Sequence, residues 1–244
     1  MRSLLSILFL FLADTALAQC RHALILALDV SASVTWSEYR MQQIGLADAL
    51  RDEEVVDLIL FDPDRPVSLL AFEWAGQTGQ NLITDWSLLR SRADVLALAD
   101  RIEAFQGSRR SFRTATGSAL NFSHDQFKRG PICDRRTIDV SSDGKSNIGV
   151  KPKEIYATGA FDSIIVNTLS IGDALYEKGA FQQNLEMFEY FQSQVNHGPG
   201  SFTIEARGIA DFSNAMKRKL IRELSPLQLA QYDVMTPLNL SFYE

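Results

Sequence analysis

The chain has 244 residues, 46% of them hydrophobic and 22% charged, which suits a single globular domain near the upper size for one core. A formal net charge of -6 argues against a nucleic-acid partner and against adhesion to an anionic membrane surface. The two cysteines, Cys20 and Cys133, gain meaning from the first eighteen residues.

Residues 1–18 read as a secretory signal. Arg2 supplies a short basic start, Leu4 to Leu12 an apolar run too short to span a bilayer, and Ala16-Leu17-Ala18 a small-x-small cleavage pattern. Gln19 stands where lipoprotein processing before Cys20 wants a small residue. The expectation is therefore an exported protein, periplasmic or secreted, with no membrane span after cleavage and one domain over 19–224. In an oxidising compartment Cys20 and Cys133 are candidates for a bridge. Cys20 precedes the first strand and Cys133 the fourth, so parallel neighbouring strands would put both at one end of the sheet. Two free thiols are the alternative.

Ala23 to Leu28 is an unbroken apolar run, as expected of a strand buried on both faces. It ends in Asp29-Val30-Ser31-Ala32-Ser33. Residues two apart in an extended segment point the same way, so Asp29, Ser31 and Ser33 can present three oxygens to one point, a pattern that suits a hard divalent cation. An ordinary turn or helix cap is the plainer alternative.

Apolar spacing of three and four predicts a helix over Trp36 to Leu50. Val67 to Trp74 reads as a strand after a Pro-rich loop, and the Gly-rich turn at Gly76 to Gly79 leads to a short antiparallel edge strand, Asn81 to Thr84. Ser91 to Phe105 is helical. The Arg-rich loop Gln106 to Arg113 opens into Thr114-Ala115-Thr116-Gly117-Ser118-Ala119-Leu120 and a helix to about Lys128. Arg135 to Val140 is a strand ending in Ser141-Ser142-Asp143-Gly144, followed by a helix at Lys151 to Gly159 and a strand at Ser163 to Ile171. A long amphipathic helix runs from about Leu175 to Val195, then a strand at Ser201 to Glu205 and a helix at Ile209 to Glu223. From Ser225 to residue 244 the chain has no period and two prolines, and reads as a flexible tail. Strands alternate with helices throughout. The fold class expected is α/β: a doubly wound, mostly parallel central sheet with helices on both faces and one antiparallel edge strand.

Ligands in such sheets bind beyond the carboxyl ends of the strands, where the winding reverses. If the first and fourth strands are the central pair, the loops carrying Asp29, Thr114 and Asp143 meet at one rim. Asp29, Ser31, Ser33, Thr114 and Asp143 then supply five oxygen ligands.

In these pieces the chain resembles a von Willebrand factor A domain with its metal-ion-dependent adhesion site. Asp29, Ser31 and Ser33 match the family's Asp-x-Ser-x-Ser loop. Thr114 to Leu120 match its Thr-Asn-Thr-Gly-x-Ala-Leu loop except at Ala115, and Asp143-Gly144 match its third loop. Through Phe72-Glu73-Trp74 and Ile138 to Gly144 the chain is similar to a bacterial exported group of these domains without an assigned function. The resemblance covers about Arg21 to Leu224. It implies a magnesium ion, with manganese or calcium as alternatives. The ion's open position would take an Asp or Glu carboxylate from a partner protein. Ser31, Ser33 and Thr114 would be direct or near-direct ligands, with Asp29 and Asp143 binding directly or accepting from hydroxyls and waters.

Around this set, Glu73, Arg113, Ser142 and Gly144 are candidates to support the ligands or face the partner, though a structural ion pair or surface acid is the weightier reading of Glu73. Arg109, Arg110 and Arg113 either steer an acidic partner or form a solvated loop. The alternative function is a divalent-metal-dependent hydrolase at the same open site, for which Glu73 is the one base to name. His22, His124 and His197 show no helical pairing of the zinc-binding kind, and neither a Gly-x-Ser-x-Gly elbow nor a phosphate-binding glycine loop occurs. Phe181, Met187, Phe188 and Phe191 of the long helix read as core, or as a contact face if the sheet leaves them uncovered.

Overall fold

A computed structural model describes residues 20–107, 113–174 and 179–225. The expected signal segment, Arg109, Arg110 and the tail beyond Ser225 lie outside the described residues. Six strands form one sheet: β1 (Cys20–Asp29), β2 (Val67–Ala75), β3 (Gly79–Leu89), β4 (Cys133–Ser142), β5 (Ile165–Gly172) and β6 (Thr203–Arg207). Their order is β3-β2-β1-β4-β5-β6, and every neighbouring pair is parallel except β2 with β3. The chain thus winds one way from β1 to β2 and the other way from β4 to β6, and the reversal falls between the carboxyl ends of β1 and β4.

Residues 20–29 are buried throughout, because β1 is covered on both faces. Leu24, Leu26 and Leu28 join one core layer; Ala23, Ile25 and Ala27 join the other. The first layer is closed by α1 (Trp36–Arg51), α2 (Glu53–Ile59), α3 (Arg92–Ala104) and α7 (Phe212–Leu224). The second is closed by α4 (Thr116–Arg129), α5 (Pro152–Tyr156) and α6 (Ala180–Tyr190), which continues as a π-turn over Phe191–Val195. None of the described helices is long and apolar enough to cross a membrane.

Several elements differ from the sequence expectation for identifiable reasons. The short helix α2 was not expected. Asp52 caps its start, accepting from Glu54 N at 3.1 Å, and the Arg21 guanidinium donates to the Leu58 and Ile59 carbonyls at its end, a contact from β1 that no local pattern announces. The edge strand β3 runs to Leu89 rather than Thr84, through a register shift at which Thr84 Oγ1 accepts from Ala71 N at 3.2 Å. The long helix begins at Ala180 among the described residues, and the last helix is preceded by a 3-10 turn at Ile209–Asp211.

Cys20 and Cys133 face each other across β1 and β4 and form a disulfide, with Cα atoms 4.6 Å apart. Under α7, Lys219 is fully buried, its Nζ 2.8 Å from both Asp139 Oδ1 of β4 and Glu223 Oε1. Asn167 of β5 also donates to Glu223 Oε1, at 2.7 Å. This charged cluster ties α7 to the middle of the sheet.

Candidate metal centre

Three loops converge beyond the carboxyl ends of β1 and β4. In the first, Val30 N still bonds Trp74 O of β2 at 3.0 Å, after which a turn (Val34 N to Ser31 O, 3.0 Å) leads into α1. Thr35 caps that helix in a reciprocal box with Glu38: Thr35 N donates to Glu38 Oε2 at 2.7 Å and Glu38 N to Thr35 Oγ1 at 3.3 Å. The strand end and the cap fix the Asp29–Ser33 loop on both sides.

The second loop is held by the third. Thr114 N donates to Asn147 Oδ1 at 3.1 Å, while Asn147 N and Ile148 N both donate to Thr114 O, at 2.9 and 3.3 Å. Ala115 offers no side-chain cap to α4, and Ser146 Oγ takes that part, accepting from Thr116 N at 3.2 Å. Ser146 N in turn donates to Tyr190 OH of α6 at 3.1 Å. Asn147, Ser146 and Tyr190 were not singled out in the sequence. The polar run after Gly144 was the only hint of the first two, and Tyr190 acts through space.

All five expected ligand residues come together. Ser33 Oγ donates to Asp143 Oδ1 at 2.8 Å, Thr114 Oγ1 donates to Ser31 Oγ at 3.2 Å, and the Ser31 and Ser33 hydroxyls lie 3.4 Å apart. Behind them Asp29 accepts from Ser31 N at 2.7 Å through Oδ1 and from the Ser142 hydroxyl through Oδ2. Asp29, Ser31 and Thr114 are buried, Asp143 is half-buried and Ser33 is exposed, so the cluster opens to solvent on the Ser33–Asp143 side. A Cβ on Gly144 would lie 3.2 Å from Thr114 Oγ1, so glycine gives the threonine hydroxyl its room.

Both site carboxyls are held above their ordinary range. Burial, and then the neighbouring Asp143, push the Asp29 carboxyl up to about 7, against the hydrogen bonds from Ser142 and Ser31. Burial also raises Asp143, with the Ser33 hydroxyl opposing and Glu38 and Asp173 adding to the effect. Neither carboxylate forms an ion pair among the described residues. Two acids and three hydroxyls make an all-oxygen donor set, which fits a hard divalent ion. Among the described residues no three or more His, Cys, Asp or Glu come together as a metal cluster.

The other candidates are placed as follows. Glu73 is buried between α1 and β3, accepting from Tyr39 OH at 2.7 Å and Asn81 Nδ2 at 2.9 Å. Arg113 is exposed on the loop before Thr114, its carbonyl accepting from Gly76 N at 2.7 Å. The histidines are engaged elsewhere: His22 with Thr137 Oγ1 at 2.8 Å, His124 stacked on Phe161 and His197 on Tyr156.

The fold has solved counterparts. Over 85% of the chain the structure is similar to 48% of proximal thread matrix protein 1 of the mussel byssus, at 16% identity and a TM-score of 0.57. Another form of that protein, at 15% identity and a TM-score of 0.56, is described with a zinc-occupied metal-ion-dependent adhesion motif. Similarity also extends over 84% of the chain to 31% of the pilus adhesin SpaC of Lactobacillus rhamnosus GG, at 10% identity and a TM-score of 0.57. A von Willebrand factor type A protein of Catenulispora acidiphila matches over 84% of the chain and 43% of its own length, at 11% identity and a TM-score of 0.55. The chain therefore spans about half or less of each of these proteins and shares their fold, that of a von Willebrand factor A domain. None of the curated proteins compared with the sequence matches it. The family model described as a protein of unknown function, DUF1194, matches residues 19–228, and the chain belongs to that family.

Proposed function

We propose that this protein is an exported protein-binding domain that holds a divalent cation, magnesium in the first instance, and through it binds an Asp or Glu side chain of a partner. The observation that carries the reading is the oxygen cluster of Asp29, Ser31, Ser33, Thr114 and Asp143 at the sheet's reversal point, with two carboxylates and, among the described residues, no cationic side chain paired to them. Bound there, a divalent ion supplies an electrophilic position that a carboxylate can occupy. The three hydroxyls are neutral donors and leave much of the ion's charge uncompensated. Asp29 and Ser142 sit deeper and hold the geometry, as groups behind metal ligands do. The disulfide and the signal-like start fit an oxidising, extracytoplasmic setting. The byssal and pilus proteins named above make a binding or scaffold role the natural first reading.

The hydrolase alternative has less support. Glu73, the one base that the sequence suggested, lies among Tyr39, Asn81 and Gln43 beneath α1. The binding reading is tested by Asp29→Ala and Asp143→Ala. Each should keep the far-UV circular dichroism of the parent and lose magnesium and manganese binding. Unchanged metal affinity in both variants would refute the site assignment.

A further inference from the structure

The metal rim continues past Asp143 into two adjoining cavities, one on each side of the start of α6. The nearer, about 320 Å³, lies between Asp143 and Lys145 on one side and Asp173, Asn184 and Met187 on the other. The second, about 290 Å³, is mostly apolar and lies between Phe181, Leu185 and Phe188 of α6 and Glu205 and Arg207 of β6. Asn184 is a wall of both. It is buried and fixed, accepting from Asp173 N at 2.8 Å and donating to Asp173 O at 2.9 Å. The apolar groove is thus joined to the metal centre by a rigid bridge.

Its lining is unusual for a solvated surface. Phe181 is 74% exposed and Leu185 41%, and with Phe188 they form a stripe at helical spacing on the flank of α6 beside β6. The core contacts of this helix come instead from Met187 and Tyr190. On β6, Ile204 and Ala206 pack toward α7, leaving Glu205 and Arg207 as the polar edge of the groove. A cavity of this volume is at the lower end for small-molecule pockets and suits one large side chain.

We propose that the partner engages this rim at two points: a carboxylate at the metal centre and, on the same extended segment, an aromatic or branched aliphatic side chain in the Phe181–Leu185–Phe188 groove. The inference rests on the metal-binding reading above. A helix is roughly 10 Å across and an extended chain rises about 3.3 Å per residue, so the two anchors are separated by roughly three to five residues. The carboxylate gives metal dependence and the groove gives selectivity, because a lone metal–carboxylate contact does not distinguish one surface acid from another.

The test uses a displayed library of peptides with one fixed central glutamate, selected on the manganese-loaded protein. Selection should enrich aromatic and branched aliphatic residues three to five positions to one side of the glutamate. On the Phe181→Ser, Leu185→Ser double variant that enrichment should vanish, and the affinity of the selected peptides should fall roughly tenfold to a hundredfold with manganese affinity unchanged. Both positions are exposed, so the fold does not depend on them. Glutamate peptides that show no apolar preference, or that bind both proteins equally, would overturn the groove while leaving the metal reading intact. Peptides that bind without manganese and to Asp29→Ala would overturn the metal reading, and the two-point scheme with it. A dimer of the parent that dissociates in the double variant, seen by sedimentation, would make the groove a self-interface and refute the proposal.

Discussion

Two single positions carry clear consequences. Gly144 has no positive φ, so alanine fits its backbone, but the added Cβ meets Thr114 Oγ1 at 3.2 Å. Gly144→Ala should weaken manganese binding several-fold by displacing that hydroxyl while changing stability by less than about 1 kcal/mol, as read by titration and urea denaturation. Asp139 lies far enough behind the rim to report on the core alone. Burial, with Glu223 adding and Lys219 opposing, raises its carboxyl from 3.8 to about 7. The folded state then holds a proton that the unfolded chain has released between about pH 4 and pH 7. Its contribution to stability is complete below about pH 4 and is lost as the pH rises through about 7. Urea denaturation of Asp139→Asn should accordingly lose less stability than the parent between pH 5 and pH 8. An equal loss would show that Asp139 does not titrate in that window.

At the scale of elements, β1 was legible because both of its faces are apolar, and Asp29 marks its end as abruptly in the structure as in the sequence. The three oxygen-bearing loops were legible for a similar reason: each borders a strong local pattern, the end of an apolar strand or the start of a helix. What was not legible works through space. Ser146 replaces the missing cap of α4, Tyr190 reaches the third loop from another helix, and Arg21 stops α2 from a neighbouring strand. The edge strand β3 was underestimated because Asp85, Trp86 and Ser87 break its alternation, although the ladder to β2 continues as far as Leu89. In α7 the charged run Lys217-Arg218-Lys219 does not lie wholly in solvent: Lys219 is buried against Asp139 and Glu223. Lys219→Met should therefore destabilise the protein by about 3 kcal/mol or more, since it leaves the buried acids Asp139 and Glu223 without the cation they share. Adding Asp139→Leu and Glu223→Leu should recover much of that loss, measured by the same denaturation.

Across the whole molecule, the sheet separates two jobs by end. The amino ends of β1 and β4 are clamped by the Cys20–Cys133 disulfide, 113 residues apart in sequence, and the carboxyl ends present the oxygen cluster. Closing so long a loop contributes about 5 kcal/mol in the chain-entropy model. Replacing both cysteines with serine should lower stability by about 2 to 5 kcal/mol and leave metal affinity unchanged, because the bridge and the cluster lie at opposite ends of the same strands. Mass analysis with and without reductant checks the bridge directly. The mostly parallel order with its reversal between β1 and β4 is what turns three separate stretches of sequence into one site.

The central claim, a divalent ion held by these three loops, is tested most directly by calorimetric titration of magnesium and manganese into the metal-stripped protein, with Asp29→Ala as the control. Saturable one-to-one binding that the variant loses is the predicted result. Binding of equal strength to both proteins, or no binding to the parent even with a glutamate-bearing peptide present, would contradict it.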